Sequence, residues 1–320
     1  MVSQMGSFKD LRGYDKLRLD RNNILAAAQW CYKSIQKKTT AATLTKRTRD
    51  IAEILVQFGL QFGSVLWQRA FWYDRLTLAH AALNAADLLS DWKSVSTFAR
   101  NISWIYFYQG DYLRALRWAE EALSATTITE DKLLIAAAKR SLGTVELRLG
   151  NFDRSRSLLM DVLKTSEEFP KDDYGIYSMG FAQYGLGDLE YELGNVKNAR
   201  EWYQKALETW QDPARKDPIR HISYALNGLG FVELKEKNYE EAKRFFLEGI
   251  QSAEEFGRVD ELARGQFGLA SVHLEADMDL DTALILANES LDSFQSNRPS
   301  PTFTGFLEHL RRDSALGMIP

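Results

Sequence analysis

Tyr224–Ile250, YALNGLGFVELKEKNYEEAKRFFLEGI, reads as two amphipathic helices joined by a tight turn. In its first half Leu226, Leu229, Gly230, Glu233 and Leu234 recur at three- and four-residue steps, which brings small and apolar groups onto one helical face. Lys237 and Asn238 interrupt that periodicity. In the second half Ala242, Phe246 and Gly249 place a small residue, a ring and another small residue on the side that faces the first helix. Gly230 and Ala242 leave little side chain between the two helices, so their axes can approach closely. Such a hairpin still has one uncovered apolar face and needs neighbours.

The rest of the sequence supplies them. Asn101–Leu123, Ser141–Leu163 and Gly185–Leu207 carry the same punctuation, and the small residue of the first helix falls at Ser103, Gly143, Gly187, Gly230 and Ala270, with spacings of 40, 44, 43 and 40. Phe62, Gly63, Leu66, Trp72, Ala79 and Ala82 fit the pattern as a degenerate first unit. Six hairpins are therefore predicted, at 50–68 and 71–88, 93–109 and 111–126, 131–149 and 151–168, 173–193 and 195–211, 218–236 and 238–255, and 259–276 and 279–295. None of the six prolines interrupts a predicted helix. The sixth unit has one extra residue between Ala270 and Ala283, which loosens its turn at Asp277-Met278-Asp279.

Outside the repeats, Met1–Asp20 reads as an irregular polar lead with Asp20 as an N-cap. Arg21 to Lys37 reads as an amphipathic helix with the stripe Ile24, Leu25, Ala28, Cys31, Tyr32 and Ile35. Lys37–Arg49 reads as a Thr- and Lys-rich connector, and Phe303–Leu316 as a capping helix for the exposed end of the stack. The predicted organisation is an N-terminal lead, helix and basic connector over 1–49, the helical array over 50–295, and a capping helix with tail over 296–320. The fold class is all-α, a right-handed α-α superhelix. A stack of this kind grows unit by unit without a central core, so 320 residues with 45% apolar side chains need not divide into two compact domains.

A net charge of −4 is too small to drive binding to nucleic acid or an anionic membrane. Lys33, Lys37, Lys38, Lys46, Arg47 and Arg49 form a basic cluster that is read as a solvated connector. A single cysteine, Cys31, allows no internal disulfide and sits in an apolar stripe, where it is expected to be buried and inert. No apolar run reaches the roughly 18 residues of a membrane span, and the N-terminus lacks a signal peptide's apolar middle, so a cytoplasmic location is expected. His80, His221, His273 and His309 are scattered, and no metal site, cofactor or catalytic group is predicted. Gly185-Leu186-Gly187 and Gly228-Leu229-Gly230 lie inside helices with no preceding strand, which argues against dinucleotide binding.

The pattern resembles the tetratricopeptide repeat, whose Leu-Gly, turn and Ala-aromatic-Ala signature is met at Leu186-Gly187, Gly194-Asn195 and Ala199-Tyr203-Ala206. The units here are longer than the family's roughly 34 residues. In such arrays the first helix of each hairpin lines a concave surface, at positions two and five before and one and four after the small residue. The resemblance therefore implies a groove that includes, at or next to those positions, Trp67, Arg100, Asn101, Trp104, Phe107, Arg140, Thr144, Arg148, Tyr184, Asp188, Tyr191, Asn227 and Phe231. Aromatics and arginine give much binding energy per residue, and a buried guanidinium needs a partner, so a protein or an acidic or C-terminal peptide is the expected ligand. The carboxylate clamp of chaperone-binding repeats is not reproduced, because Trp104 and Thr144 stand where its asparagines would be. Leu19–Trp30 and Phe71–Leu76 through Leu83 also resemble the entry to the C-terminal arrays of NB-ARC and MalT-like signalling NTPases. That likeness implies a sensor, either half of a longer NTPase or a relative working alone. The expected function is a non-catalytic sensor or adaptor; the rivals are a scaffold of fixed shape and a peptide-pheromone receptor, which would hold a short peptide deep in a closed superhelix.

Overall fold

The structure is a computed structural model that describes residues 21–35, 44–68, 72–170, 172–211, 221–276 and 279–295. The described residues form thirteen helices and no strand. They are α1 (Arg21–Ile35), α2 (Lys46–Gln68), α3 (Trp72–Leu88), α4 (Trp92–Tyr108), α5 (Tyr112–Thr126), α6 (Lys132–Arg148), α7 (Phe152–Glu167), α8 (Asp173–Glu192), α9 (Val196–Gln211), α10 (Ile222–Lys235), α11 (Tyr239–Glu255), α12 (Val259–Glu275) and α13 (Leu280–Gln295). From α2 onward they pair into six hairpins at the predicted places. The predicted lead, 303–316 helix and Asp277-Met278 of the sixth turn lie outside the described residues.

Helix boundaries follow local chemistry. Asp91, Asp111, Asp131 and Asp172 each accept a backbone N–H of the first turn, at 2.9–3.2 Å, and Asp279 does the same for Asp281 and Thr282 at 3.1 Å. The helix predicted from residue 50 begins earlier, at Lys46, because Thr45 caps it by accepting the Thr48 N–H. Part of the basic connector is thereby helical. The turns inside hairpins use a left-handed residue, Gly110 (φ 75), Gly150 (φ 80) and Gly194 (φ 79), but Lys237 holds that position with φ 62 in the fifth hairpin. Each turn of hairpins three to five is also tied by an asparagine that donates to a first-helix glutamate: Asn151 to Glu146, Asn195 to Glu190 and Asn238 to Glu233, at 2.6–2.8 Å.

Each hairpin packs on the next. First helices of neighbouring hairpins touch along the series α4, α6, α8, α10 and α12, whereas the described parts of the second helices make no comparable contact with one another. The first helices therefore form the inner layer of the coil and the second helices the outer one. Helix α1 packs on α2 and α3 through Ala28, Cys31 and Ile35, and it buries Cys31.

Glycine slots lock one hairpin to the next. The Tyr203 ring of α9 lies where a Cβ on Gly187 would meet it at 2.6 Å and one on Gly228 of the following hairpin at 2.7 Å. Phe246 of α11 is seated in the same way by Gly230 and Gly268, and Leu159 of α7 by Gly143 and Gly185. The Gly-Leu-Gly pairs are thus seats for the outer helix of their own hairpin and of the one before. Gly63, assigned by the spacing to the same role in the first unit, meets nothing within 4 Å, and there it is Gly59 that lies against Ala82 and Phe98.

Candidate functional site: the inner face of the coil

Side chains of the second and sixth hairpins meet across the inner face. The Tyr108 hydroxyl, at the end of α4, donates to Asp260 Oδ2 of α12 at 3.1 Å, across 152 residues of sequence. Tyr224 of α10 donates to the same oxygen at 2.8 Å, and Arg258 pairs with it at 2.9 Å while also donating to the Tyr224 hydroxyl. Burial alone would raise the Asp260 carboxyl, but Arg258 and the two hydroxyls bring it below its ordinary value. The tyrosines are pushed up by burial and stay neutral donors.

A second cluster lies beside this clasp. Asp188 of α8 accepts the Tyr203 hydroxyl at 2.7 Å and faces Arg264 at 3.6 Å and Arg148 at 3.8 Å. Arg148 also pairs with Glu192 at 2.8 Å, and Arg264 donates to the Tyr184 hydroxyl and lies over the Tyr184 and Phe231 rings at 5.6 and 5.2 Å. Asn227 donates through Nδ2 to both the carboxylate and the carbonyl of Glu261, at 2.8 and 2.9 Å. Burial raises the Glu261 carboxyl to about 7, against the pull of Arg264 and with the push of Asp260.

The third part is aromatic. Arg140 of α6 lies over Phe181, Tyr177 and Trp104 at 4.8, 5.3 and 5.6 Å from their ring centres. Trp104 and Phe107 meet edge to face at 5.3 Å and both adjoin Tyr108. Tyr174 stacks on Tyr177, and Arg100 donates to the Tyr174 hydroxyl at 2.9 Å. Arg75, from α3, donates to Asn101 Oδ1 at 3.2 Å. Its guanidinium is pushed down to about 9, first by burial and then by Arg258 and Arg100, and it remains cationic at neutral pH.

Of the groove residues expected from sequence, the structure brings Arg100, Trp104 and Arg140 into the aromatic part, and Arg148, Tyr184, Asp188 and Asn227 into the acid–base cluster. Asn101 receives Arg75, and Phe107 belongs to the Trp104–Tyr108 group. Thr144 turns its hydroxyl to the Arg140 carbonyl of its own helix at 3.0 Å. Tyr191 lies under Lys235, and Phe231 packs on Phe246 at 4.9 Å. The Trp67 side chain lies outside the described residues. Arg148 finds its partners within the protein, in Asp188 and Glu192.

Sequence reasoning missed Arg75, Tyr108, Tyr177, Phe181, Tyr224, Arg258, Asp260, Glu261 and Arg264. A signal was available for some of them. Phe181, Tyr224 and Arg264 each stand six residues before the small residue of their helix, one residue beyond the positions considered. Arg75 stands twelve after Gly63, where the other hairpins carry Ala115, Ser155, Ala199 and Ala242. An arginine in a small-residue position is a visible departure.

Among the described residues no group of three or more His, Cys, Asp or Glu is placed to hold a metal ion, and no helix is long and apolar enough to cross a membrane.

A coil of two-helix layers with a polar, ring-lined inner face is the architecture of a tetratricopeptide superhelix, and family models described as "Tetratricopeptide repeat" match residues 96–129 and 134–212. No curated protein sequence matches this one. Solved structures share the fold at low identity. The Rap conjugation gene regulator of plasmid pLS20 in complex with the Phr* peptide aligns with a TM-score of 0.62 at 16% identity, covering 99% of this chain and 90% of that one. NprR in complex with its cognate peptide NprX gives 0.60 at 14% identity, covering 97% and 95%. Aspartyl phosphate phosphatase F from Bacillus subtilis gives 0.53 at 16% identity, covering 100% and 88%.

Proposed function

We propose that this protein is a non-catalytic regulatory module that binds a short peptide along the inner face of its superhelix. The contact between Tyr108 and Asp260 carries this reading, because it narrows the coil until the second and sixth hairpins share one site. A face this enclosed surrounds an extended peptide better than it seats the broad surface of a folded partner. Its rings and guanidiniums are the groups that contribute most to recognition. Two solved structures of the same fold are complexes with a peptide, which supports the choice of ligand.

Binding rather than catalysis fits the chemistry, since Asp260, Asp188 and Glu261 are each held by fixed donors. The two central guanidiniums of the aromatic part, Arg100 and Arg140, favour an acidic peptide or one with a free C-terminus. The likeness of Leu19–Trp30 to signalling NTPase arrays adds a sensor role, in which the ligand alters the pitch of the coil through its small interfaces, and a cytoplasmic location suits it. Within the same reading, residues 50–295 form the binding unit, flanked by the lead with α1 and by the C-terminal segment. The enclosed inner face favours a receptor for a free peptide signal over an adaptor of fixed shape.

The test is affinity selection from a random heptapeptide library on the purified protein, repeated with Arg100→Ala and Trp104→Ala. Both variants should lose most of the enriched peptides. Unchanged enrichment in both would reject the inner face as the binding surface.

A further inference from the structure

One guanidinium of the inner face lacks what its neighbours have. Arg148, Arg258 and Arg264 each face carboxylates, Arg100 donates to a hydroxyl and Arg75 to an amide oxygen. Arg140 is 6% exposed, yet among the described residues no acceptor lies within hydrogen-bond reach of its guanidinium, and its Nε is sealed without a partner. Its surroundings are the faces of Phe181, Tyr177 and Trp104. Ring faces attract a cation, but they supply no directed acceptor for the N–H groups, so the desolvated charge is only partly compensated.

The cage also fixes what could complete it. Three rings from α4 and α8 hold the planar group in place and leave it largely buried, which favours a two-pronged acceptor such as a carboxylate. The local field has the matching sign. Tyr177, one wall of the cage, stacks on Tyr174, whose hydroxyl is held by Arg100, and Arg100 in turn stands close enough to Arg75 for the two cations to repel. Asp260 is already engaged by Arg258, Tyr108 and Tyr224, and Asp188 by Tyr203.

We propose that Arg140 is the receiving group for a carboxylate of the bound peptide, supplied either by the peptide's free C-terminus or by an Asp or Glu side chain, with Arg100 adding charge across the Tyr174–Tyr177 stack. This subsite rests on the peptide-binding reading above and assigns one anchor within it. The guanidinium pairs with both carboxylate oxygens while the rings shield the pair from solvent, so the loss of either the charge or the fork is felt in affinity.

Three heptapeptide libraries test it on the full-length protein: free acids lacking Asp and Glu, C-terminal amides containing Asp and Glu, and C-terminal amides lacking both. Enrichment is expected from the first or the second and not from the third, and which of the two responds distinguishes a terminal from a side-chain group. Individual hits should weaken about 10- to 100-fold on R140Q, while R140K, which keeps the charge but loses the fork, retains the carboxylate preference at reduced affinity. Enrichment of the acid-free amide library equal to the others, or an R140Q profile equal to wild type, would overturn the subsite and leave peptide binding standing. Failure of all three libraries on wild type would overturn both. Should R140Q melt early, the three wild-type profiles decide without it.

Discussion

Replacing Gly228 by alanine should destabilise the array, although the same change in an ordinary helix interior stabilises it by about 1 kcal/mol. A Cβ at 228 would stand 2.7 Å from Cδ1 and Cε1 of Tyr203, about 0.7 Å inside the 3.4 Å at which ordinary contact begins. The ring has little room to retreat, because it is also seated on Gly187, where a Cβ would meet it at 2.6 Å, and its hydroxyl is tied to Asp188 at 2.7 Å. Overpacking of this kind costs about 1–3 kcal/mol, and straining a hydrogen bond to a charged group about 1.5–3 kcal/mol more when it breaks. Set against the helix-propensity gain, the net loss should be up to about 2 kcal/mol if that bond holds and about 1.5–5 kcal/mol if it breaks. Urea unfolding followed by far-ultraviolet circular dichroism reads it, and the control is the same substitution beside Tyr203→Leu. Leu159 already occupies the equivalent slot between Gly143 and Gly185 with would-be contacts of 3.1–3.3 Å, so a leucine at 203 should absorb most of the cost. A stabilised Gly228→Ala, or an equal cost in both backgrounds, would refute the idea that rings in glycine slots couple the hairpins. Because Tyr203 holds Asp188, and Asp188 faces Arg148 and Arg264, the same substitution should also disturb the inner face.

Tyr108→Phe removes the hydroxyl that bridges the coil and should cost about 1–2 kcal/mol while raising the radius of gyration in small-angle scattering; an unchanged radius and urea midpoint would show that the contact does not hold the coil closed. Glu261, with its carboxyl raised from 4.5 to about 7, binds more protons folded than unfolded between those values, so its contribution to stability falls as pH climbs through that window, by at most roughly 3 kcal/mol. Asp260, held below its ordinary value, acts below that window, and His80, lowered by burial, pushes stability the other way within it. The readout is therefore the difference between wild type and Glu261→Gln from pH 4.5 to 7, and a difference that does not change with pH would contradict the assignment. Lys237→Gly should raise the melting temperature through about 0.5–1 kcal/mol, since a lysine there holds the left-handed conformation that Gly110, Gly150 and Gly194 take elsewhere.

The hairpins were legible because small residues recur about every forty positions and because turn chemistry repeats at Gly110-Asp111, Gly150-Asn151 and Gly194-Asn195. Close helix contact demands the first and reversal of direction the second, so both leave local traces. Half of the inner face was legible for the same reason: Trp104, Arg140 and Asp188 each lie within one helical turn of the small residue of their own helix. What joins them was not. Whether Tyr108 meets Asp260 depends on the pitch accumulated over four further hairpins, and no local pattern encodes that sum. The place of Gly228-Leu229-Gly230 inside a helix argues against a nucleotide from sequence alone, but the service of these glycines to two outer helices shows only when the next hairpin is in place. In the first unit the spacing pointed to Gly63 while close contact falls on Gly59, one helical turn away.

The most direct measurement of the central claim is photocrosslinking of the library-selected peptides to p-benzoylphenylalanine placed at Trp104, on the inner face, and separately at Leu247, which is 47% exposed on α11 in the outer layer. Crosslinked peptide at 104 and none at 247 is the predicted result. Equal labelling at both positions, or labelling at 247 alone, would place the ligand outside the coil and contradict the account.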